Sequence, residues 1–354
     1  MIRRLRLTLV LARPAVVIML GLFTATGLAE AGRGGDTFLL ARALTVVVGF
    51  LLLSVTCNDL ADEAIDRVNL PGSRPLVTGA ASRQEFRVIG VTSGVTAVAA
   101  SCTLHWPAVA VTLAGLAVSA GYSLRPVRLA DRGAVASLVL PACYVAVPYL
   151  LGLFAARATV TPRDLLLLAG LYTGFIGRIL LKDFRDVRGD ALFGKRTFLV
   201  RRGRGWTCVF SACCWLVGTG VILAALPAPS ASLLVTELAC LAIALALLAS
   251  LARSGSARQD ESLISATAIT GRGMVLLVLA HLTMSGHGAP AFLAGHGPLY
   301  LVVLWAICLL TIGPAATMAA YGPVSRLTVA PATRSNANPA SVPAAATSGG
   351  DPAR

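Results

Sequence analysis

The chain has 354 residues, 56% of them hydrophobic and 13% charged, with a formal net charge of +14. An ordinary soluble domain carries nearly twice that charged share, so the composition excludes one and points to a polytopic membrane protein. Nucleic-acid binding, the usual reading of so basic a chain, is excluded because the basic residues lie in short loops at the ends of apolar runs, with no soluble domain to present them.

At about 20 apolar residues per crossing, ten spans are expected, near residues 10–30, 38–57, 86–104, 106–121, 134–154, 164–181, 206–226, 231–251, 264–285 and 298–320. The first run follows a basic start, and Ala29-Glu30-Ala31 has the form of a signal-peptidase site. Arg13-Pro14 interrupts the basic-then-apolar order, however, and Pro14 suits the first turn of a helix, so this run is read as a retained span. Arg272 interrupts the ninth run. After Tyr321 the chain is rich in Pro, Ala, Ser and Asn, so a helical domain over 1–321 and a disordered tail over 322–354 are expected.

Placing the N-terminus inside puts all 30 Lys and Arg on the cytoplasmic side except Arg33, Arg42, Arg157 and Arg163. That asymmetry sets the orientation. The acidic motifs and the C-terminal tail are then cytoplasmic as well. Eight cysteines lie in or beside apolar runs without CxxC spacing, and read as small apolar residues. The Gly-His-Gly repeats around His287 and His296 lack the partners of a metal site and read as a solvated turn. His105 and His281 stand alone near span ends and are given no role.

Two acidic patterns dominate the chemistry. The second span runs into Asn58-Asp59-Leu60-Ala61-Asp62-Glu63-Ala64-Ile65-Asp66, the sixth into Lys182-Asp183-Phe184-Arg185-Asp186-Val187-Arg188-Gly189-Asp190. Both place aspartates at i, i+3 and i+7, within about 60° of arc on a helix. Carboxylates next to lipid are costly unless a cation lies between them. Two facing clusters that hold Mg²⁺, and through it a diphosphate, are the natural reading.

The loop after the first motif continues through Asn69-Leu70-Pro71 and Arg74-Pro75-Leu76 to Gly79; Gly121-Tyr122-Ser123-Leu124-Arg125-Pro126-Val127-Arg128 follows the fourth span. These markers, with the second motif and Gly194-Lys195-Arg196-Thr197, resemble the UbiA superfamily of intramembrane prenyltransferases from residue 10 to about 285. The resemblance implies an all-α bundle of nine membrane helices, against the ten spans read here, so that either 264–285 is a broken segment or the final span is an addition. It also implies a cytoplasm-facing cavity that binds a polyprenyl diphosphate through two Mg²⁺ ions. By position, Asn58, Asp62 and Asp66 would ligate one ion and Asp183, Asp186 and Asp190 the other, with a less certain part for Asp59.

Arg74, Arg125 and Arg128 are expected at the leaving diphosphate, since guanidinium matches phosphate geometry. Tyr122 and Lys182 are further substrate contacts, and Arg178 and Lys182 are expected either at substrate or paired with the second acidic triplet. Tyr144, Tyr149, Phe154, Tyr172 and Phe175 could line an isoprenoid channel. Arg67, Arg83, Arg87, Arg132 and the run from Arg196 to Arg204 read as headgroup contacts. The expected activity is transfer of a prenyl group to a small-molecule acceptor, aromatic by preference, in contact with membrane lipid. A terpene cyclase needs the same ionisation, and transfer to a glycerol-phosphate lipid shares the pattern. A CDP-alcohol phosphatidyltransferase would need an Asp-Gly-x-x-Ala-Arg run that the chain lacks, and a transporter would favour charges at the midplane.

Overall fold

The computed structural model describes residues 2–69, 72, 74–192, 194, 197–285 and 297–322. The expected disordered tail from Pro323 onward, His287 and His296 lie outside these residues. Among the described residues no strand forms. The helices are α1 (Ile2–Ala12), α2 (Pro14–Glu30), α3 (Thr37–Ala61), α4 (Glu63–Asn69), α5 (Arg83–Ser101), α6 (Trp106–Ser123), α7 (Ala134–Pro141), α8 (Val147–Ala156), α9 (Pro162–Leu180), α10 (Asp183–Leu192), α11 (Phe198–Ala225), α12 (Ala231–Arg253), α13 (Ala257–Ser285) and α14 (Pro298–Tyr321).

Eight segments among these are long and apolar enough to cross a bilayer. The α2 helix, at 17 residues, and α5, which is less apolar, fall short by that measure. Neither nine nor ten spans is therefore reached by length and composition alone. The ninth run is not broken: α13 continues through Arg272 for 29 residues. Arginine is a good helix former, so a charge that lowers hydropathy does nothing to end the helix.

Local chemistry sets the helix ends. Asp36 accepts from the Leu39 N–H at 2.9 Å, and Ser82/Glu85 and Thr161/Asp164 form reciprocal capping boxes. Proline occupies the first turn of α2, α6, α9 and α14, where its missing N–H costs nothing. Buried hydroxyls such as Thr24, Thr112 and Thr267 bond the carbonyl four residues back, which satisfies them within their own helix.

Packing follows small residues. A Cβ on Gly27 would lie 2.0 Å from the Tyr149 carbonyl oxygen, and one on Gly152 would lie 1.9 Å from that of Thr24, so α2 and α8 touch backbone to backbone. Between α7 and α8 the chain makes a π turn over Ala142–Ala146. The Ala142 N–H turns to Val139 and Leu140, which frees the Leu138 carbonyl for the Tyr172 hydroxyl. Outward residues such as Val91, Val95, Leu309 and Leu310 stay exposed, as a lipid-facing surface requires.

The bundle has two polar ends. One carries the acidic motifs; at the other, Arg157 pairs with the fully buried Asp164 at 2.6 Å and Arg163 with Glu30 at 3.0 Å. His281, expected to stand alone, is buried there. Its Nδ1 lies 2.9 Å from the Tyr300 hydroxyl and its Nε2 3.0 Å from the Pro227 carbonyl, so it ties α13 to α14 and to the loop before α12.

Candidate functional site

The two acidic motifs meet at one end of the bundle. The first does not lie on one unbroken helix: α3 ends at Ala61, Asp62 takes φ −101° as its cap, and α4 resumes at Glu63. Asp62 still accepts from the Asp66 N–H at 2.8 Å, so the turn is nearly continuous. The second motif lies on α10, which packs against α4. That contact brings the two acidic segments together.

A cavity of about 360 Å³ lies beneath them. Asn58, Asp62, Asp66, Arg74, Tyr122, Lys182 and Asp183 all line it. The helix of Asp186 and Asp190 is present, but their side chains lie outside the described residues. Arg125 is exposed and lines a neighbouring groove. Arg128 borders that groove too, and its Nη2 donates to Asp62 Oδ1 at 2.8 Å while its Nε donates to Asp131 at 2.6 Å.

Asp59 is the aspartate that turns away from the cavity. It is almost fully buried, with its Oδ1 accepting from Arg13 Nη2 at 2.7 Å and lying 3.5 Å from Arg74 Nη1. Arg13 was not expected to have any site role. It caps α2 with a left-handed φ of 50°, an unusual conformation for arginine, and also lines the cavity. Its only sequence signal is a charge placed directly before the proline that opens the first apolar helix.

Asp66 and Arg74 are near each other without a hydrogen bond. Their Oδ2 and Nε atoms are 3.2 Å apart, yet both are buried and unsatisfied. Burial pushes the Asp66 carboxyl up to about 6; Arg74 opposes this, and Asp59 and Asp62 add to it. Among the described residues no three acidic, histidine or cysteine side chains converge as a metal site. The donors nonetheless suit a hard cation: carboxylate and amide oxygens, with one orphaned carboxylate oxygen at the cavity wall.

Beyond the acids, the described wall carries Arg13, Arg74, Arg178, Lys182 and Arg185 against the three carboxylates Asp62, Asp66 and Asp183. Such a balance suits a polyanionic ligand. The apolar wall includes Tyr144 and Phe175, stacked 5.8 Å apart. Tyr149 and Phe154 do not line it: Tyr149 is fully buried, with its hydroxyl donating to the Asp164 carbonyl at the opposite end. Tyr172 is taken up by Leu138.

Several arginines read as headgroup contacts also make ion pairs within the protein. Arg67 and Arg83 both bind Glu63, at 2.7 and 2.8 Å. Together they hold its carboxyl below the usual range against the opposing effect of burial. Arg204 grips Asp260 with two bonds of 2.7 Å and lies 4.9 Å from the Phe184 ring centre, joining α11, α13 and the second acidic segment. Arg185 holds Glu261 at 2.7 Å and so pins α10 to α13.

The model of the UbiA prenyltransferase family matches residues 19–269. Chlorophyll synthase of Arabidopsis thaliana is 33% identical over 168 residues, which cover 44% of this chain and 42% of that protein. The chain spans about half the length of the curated relatives it matches. A solved digeranylgeranylglyceryl phosphate synthase superposes with a TM-score of 0.60 at 16% identity, covering 79% of this chain and 98% of that one. A UbiA homolog from Archaeoglobus fulgidus, bound to DMAPP and Mg²⁺, gives 0.51 at 15% identity, covering 89% and 99%. At these identities the structures are similar in fold.

Proposed function

The chain belongs to the UbiA prenyltransferase family, and from that premise we propose that it is a Mg²⁺-dependent membrane enzyme that ionises a polyprenyl diphosphate and passes the prenyl group to a small-molecule acceptor. One observation carries the reading: Asn58, Asp62, Asp66 and Asp183 line a single cavity together with five basic side chains and a stacked aromatic pair.

Asn58, Asp62 and Asp66 would hold one Mg²⁺, and Asp183 with Asp186 and Asp190 the second. Bound Mg²⁺ supplies charge neutralisation at the departing diphosphate. Arg74 and Lys182 sit at the same wall and can donate to the diphosphate oxygens as their negative charge grows. Arg128 is held on Asp62, and a cation held by that carboxylate would leave the guanidinium free to pair with a phosphate oxygen. The isoprenoid lies along Val16, Met19, Leu140 and Ile179, and the Tyr144 and Phe175 faces shield the allylic cation from water. The acidic end faces the cytoplasm in this reading, because the loops at that end carry far more basic residues than those at the other.

Purified protein with Mg²⁺ and geranylgeranyl diphosphate tests the proposal. Pyrophosphate should be released slowly alone and at least about 100-fold faster with the right acceptor, since an oriented nucleophile intercepts the cation. Hydroxybenzoates, homogentisate, naphthoates, quinolones and glycerol-phosphate lipids form the panel. Rapid conversion to a cyclic terpene without acceptor would replace transfer by cyclisation.

A further inference from the structure

The diphosphate site does not account for the half-buried cations beneath it. Arg178 forms part of its wall and also part of the wall of a second, mostly apolar cavity between α2, α9, α11 and α13. Arg272 lines this second cavity and not the first, near the midpoint of α13. At 1.5 Å per residue it is roughly 20 Å from either helix end, too far for its side chain to reach a headgroup.

Neither guanidinium meets a carboxylate among the described residues. Arg178 directs one N–H at the Met19 sulfur and lies 5.5 Å from the Phe175 ring centre, while Arg272 has no hydrogen bond or ion pair. Trp215 also lines this cavity, and its indole N–H is buried without an acceptor among the described residues. No carboxylate lines this space. Arginine keeps its charge, so three unmatched donors inside an apolar bundle call for an anion from outside the chain. The donor diphosphate cannot supply it to Arg272, because that residue is not part of the acidic cavity.

We propose that Arg178, Arg272 and the Trp215 indole N–H form an anion subsite inside the bundle that receives the carboxylate or phosphate of an amphiphilic acceptor. Leu22, Phe23 and Leu171 contact the acceptor's apolar body. Arg178, shared by the two cavities, sets the acidic end of the acceptor beside the donor. The subsite deepens the prenyl-transfer reading, and the word acceptor rests on it.

Binding is measured without donor or Mg²⁺, so a failure of prenyl transfer leaves the result standing. Replacing the exposed tryptophans (Trp106→Phe, Trp206→Phe, Trp305→Phe) makes Trp215 the sole emitter. In phosphatidylcholine nanodiscs, dodecyl phosphate and dodecanoate should change its emission saturably and dodecanol should not; the tighter anion identifies the acidic group. Arg272→Met should raise both midpoints at least about tenfold, and Arg272→Lys should restore most of the affinity. Arg272→Met should also melt no lower than the parent, because it removes a charge that has no hydrogen bond or ion pair among the described residues. An equal response to the alcohol, an unchanged midpoint in Arg272→Met, or a clear loss of its thermal stability overturns the proposal. Loss of the dodecyl phosphate response when phosphatidylglycerol is added assigns the subsite to bulk lipid and removes the acceptor.

Discussion

Asp59 and Asp66, on one acidic motif, both approach Arg74 but stand in different relations to it. Asp59 is one end of a buried ion pair with Arg13, whereas Asp66 keeps an oxygen that nothing in the described chain satisfies. Their substitutions should therefore separate. Asp59→Asn strips the charge that balances Arg13 and Arg74, and should lower stability by about 2 to 4 kcal/mol in thermal unfolding of the detergent-solubilised protein. Asp66→Asn should leave the melting temperature unchanged or raised, while Mg²⁺-dependent pyrophosphate release falls at least about 100-fold. Equal loss of stability in both would mean that Asp66 is a structural anchor like its neighbour. The sequence could not make this distinction, since both residues fit the same spacing. What divides them is the rotation at the Asp62 bend and a partner 46 residues upstream.

At the scale of elements, the second acidic segment is held by clamps placed around it. The α11 helix begins with a short turn and then breaks at Gly203, whose φ of 80° and ψ of 174° no helix supports. The break sets the start of the spanning part beside α13, where Arg204 reaches Asp260 and lies over Phe184. A Cβ at Gly203 would meet no atom within 4 Å, so the cost of Gly203→Ala is conformational, about 1 to 2 kcal/mol. Gly205→Ala, equally open and without a positive φ, is the control and should be neutral or mildly stabilising. Chemical or thermal unfolding of the two variants in one detergent checks the difference. The length of the apolar runs made the spans legible, and acidic spacing singled out residues that line the cavity. The clamps were hidden because an arginine in a basic loop looks the same whether it meets a headgroup or an aspartate 56 residues away. Arg272 misled for a related reason: hydropathy lowers a window that contains charge, but helical hydrogen bonding is indifferent to it.

Across the whole molecule the two polar ends differ in kind. The end with the acidic motifs gathers Arg13, Arg74, Arg128, Lys182, Arg185 and Arg204, while the opposite end has Arg42, the exposed pair of Arg33 with Asp36 and two pairs locked inward, Arg157 with Asp164 and Arg163 with Glu30. Translocating the first end would carry many cations across the bilayer; the second has almost none to carry once its pairs are formed, so the charge asymmetry predicts an orientation with the cavity toward the cytoplasm. Single cysteines in a background freed of the eight native ones test this directly. Thr78→Cys and Leu124→Cys, both exposed at the acidic end, should resist a membrane-impermeant maleimide in intact cells and react after lysis. Gly35→Cys and Val160→Cys, exposed at the other end, should react in intact cells. The reverse pattern would turn the bundle over and place donor binding on the outer face. Labelling at both ends in intact cells would reject a single fixed orientation altogether.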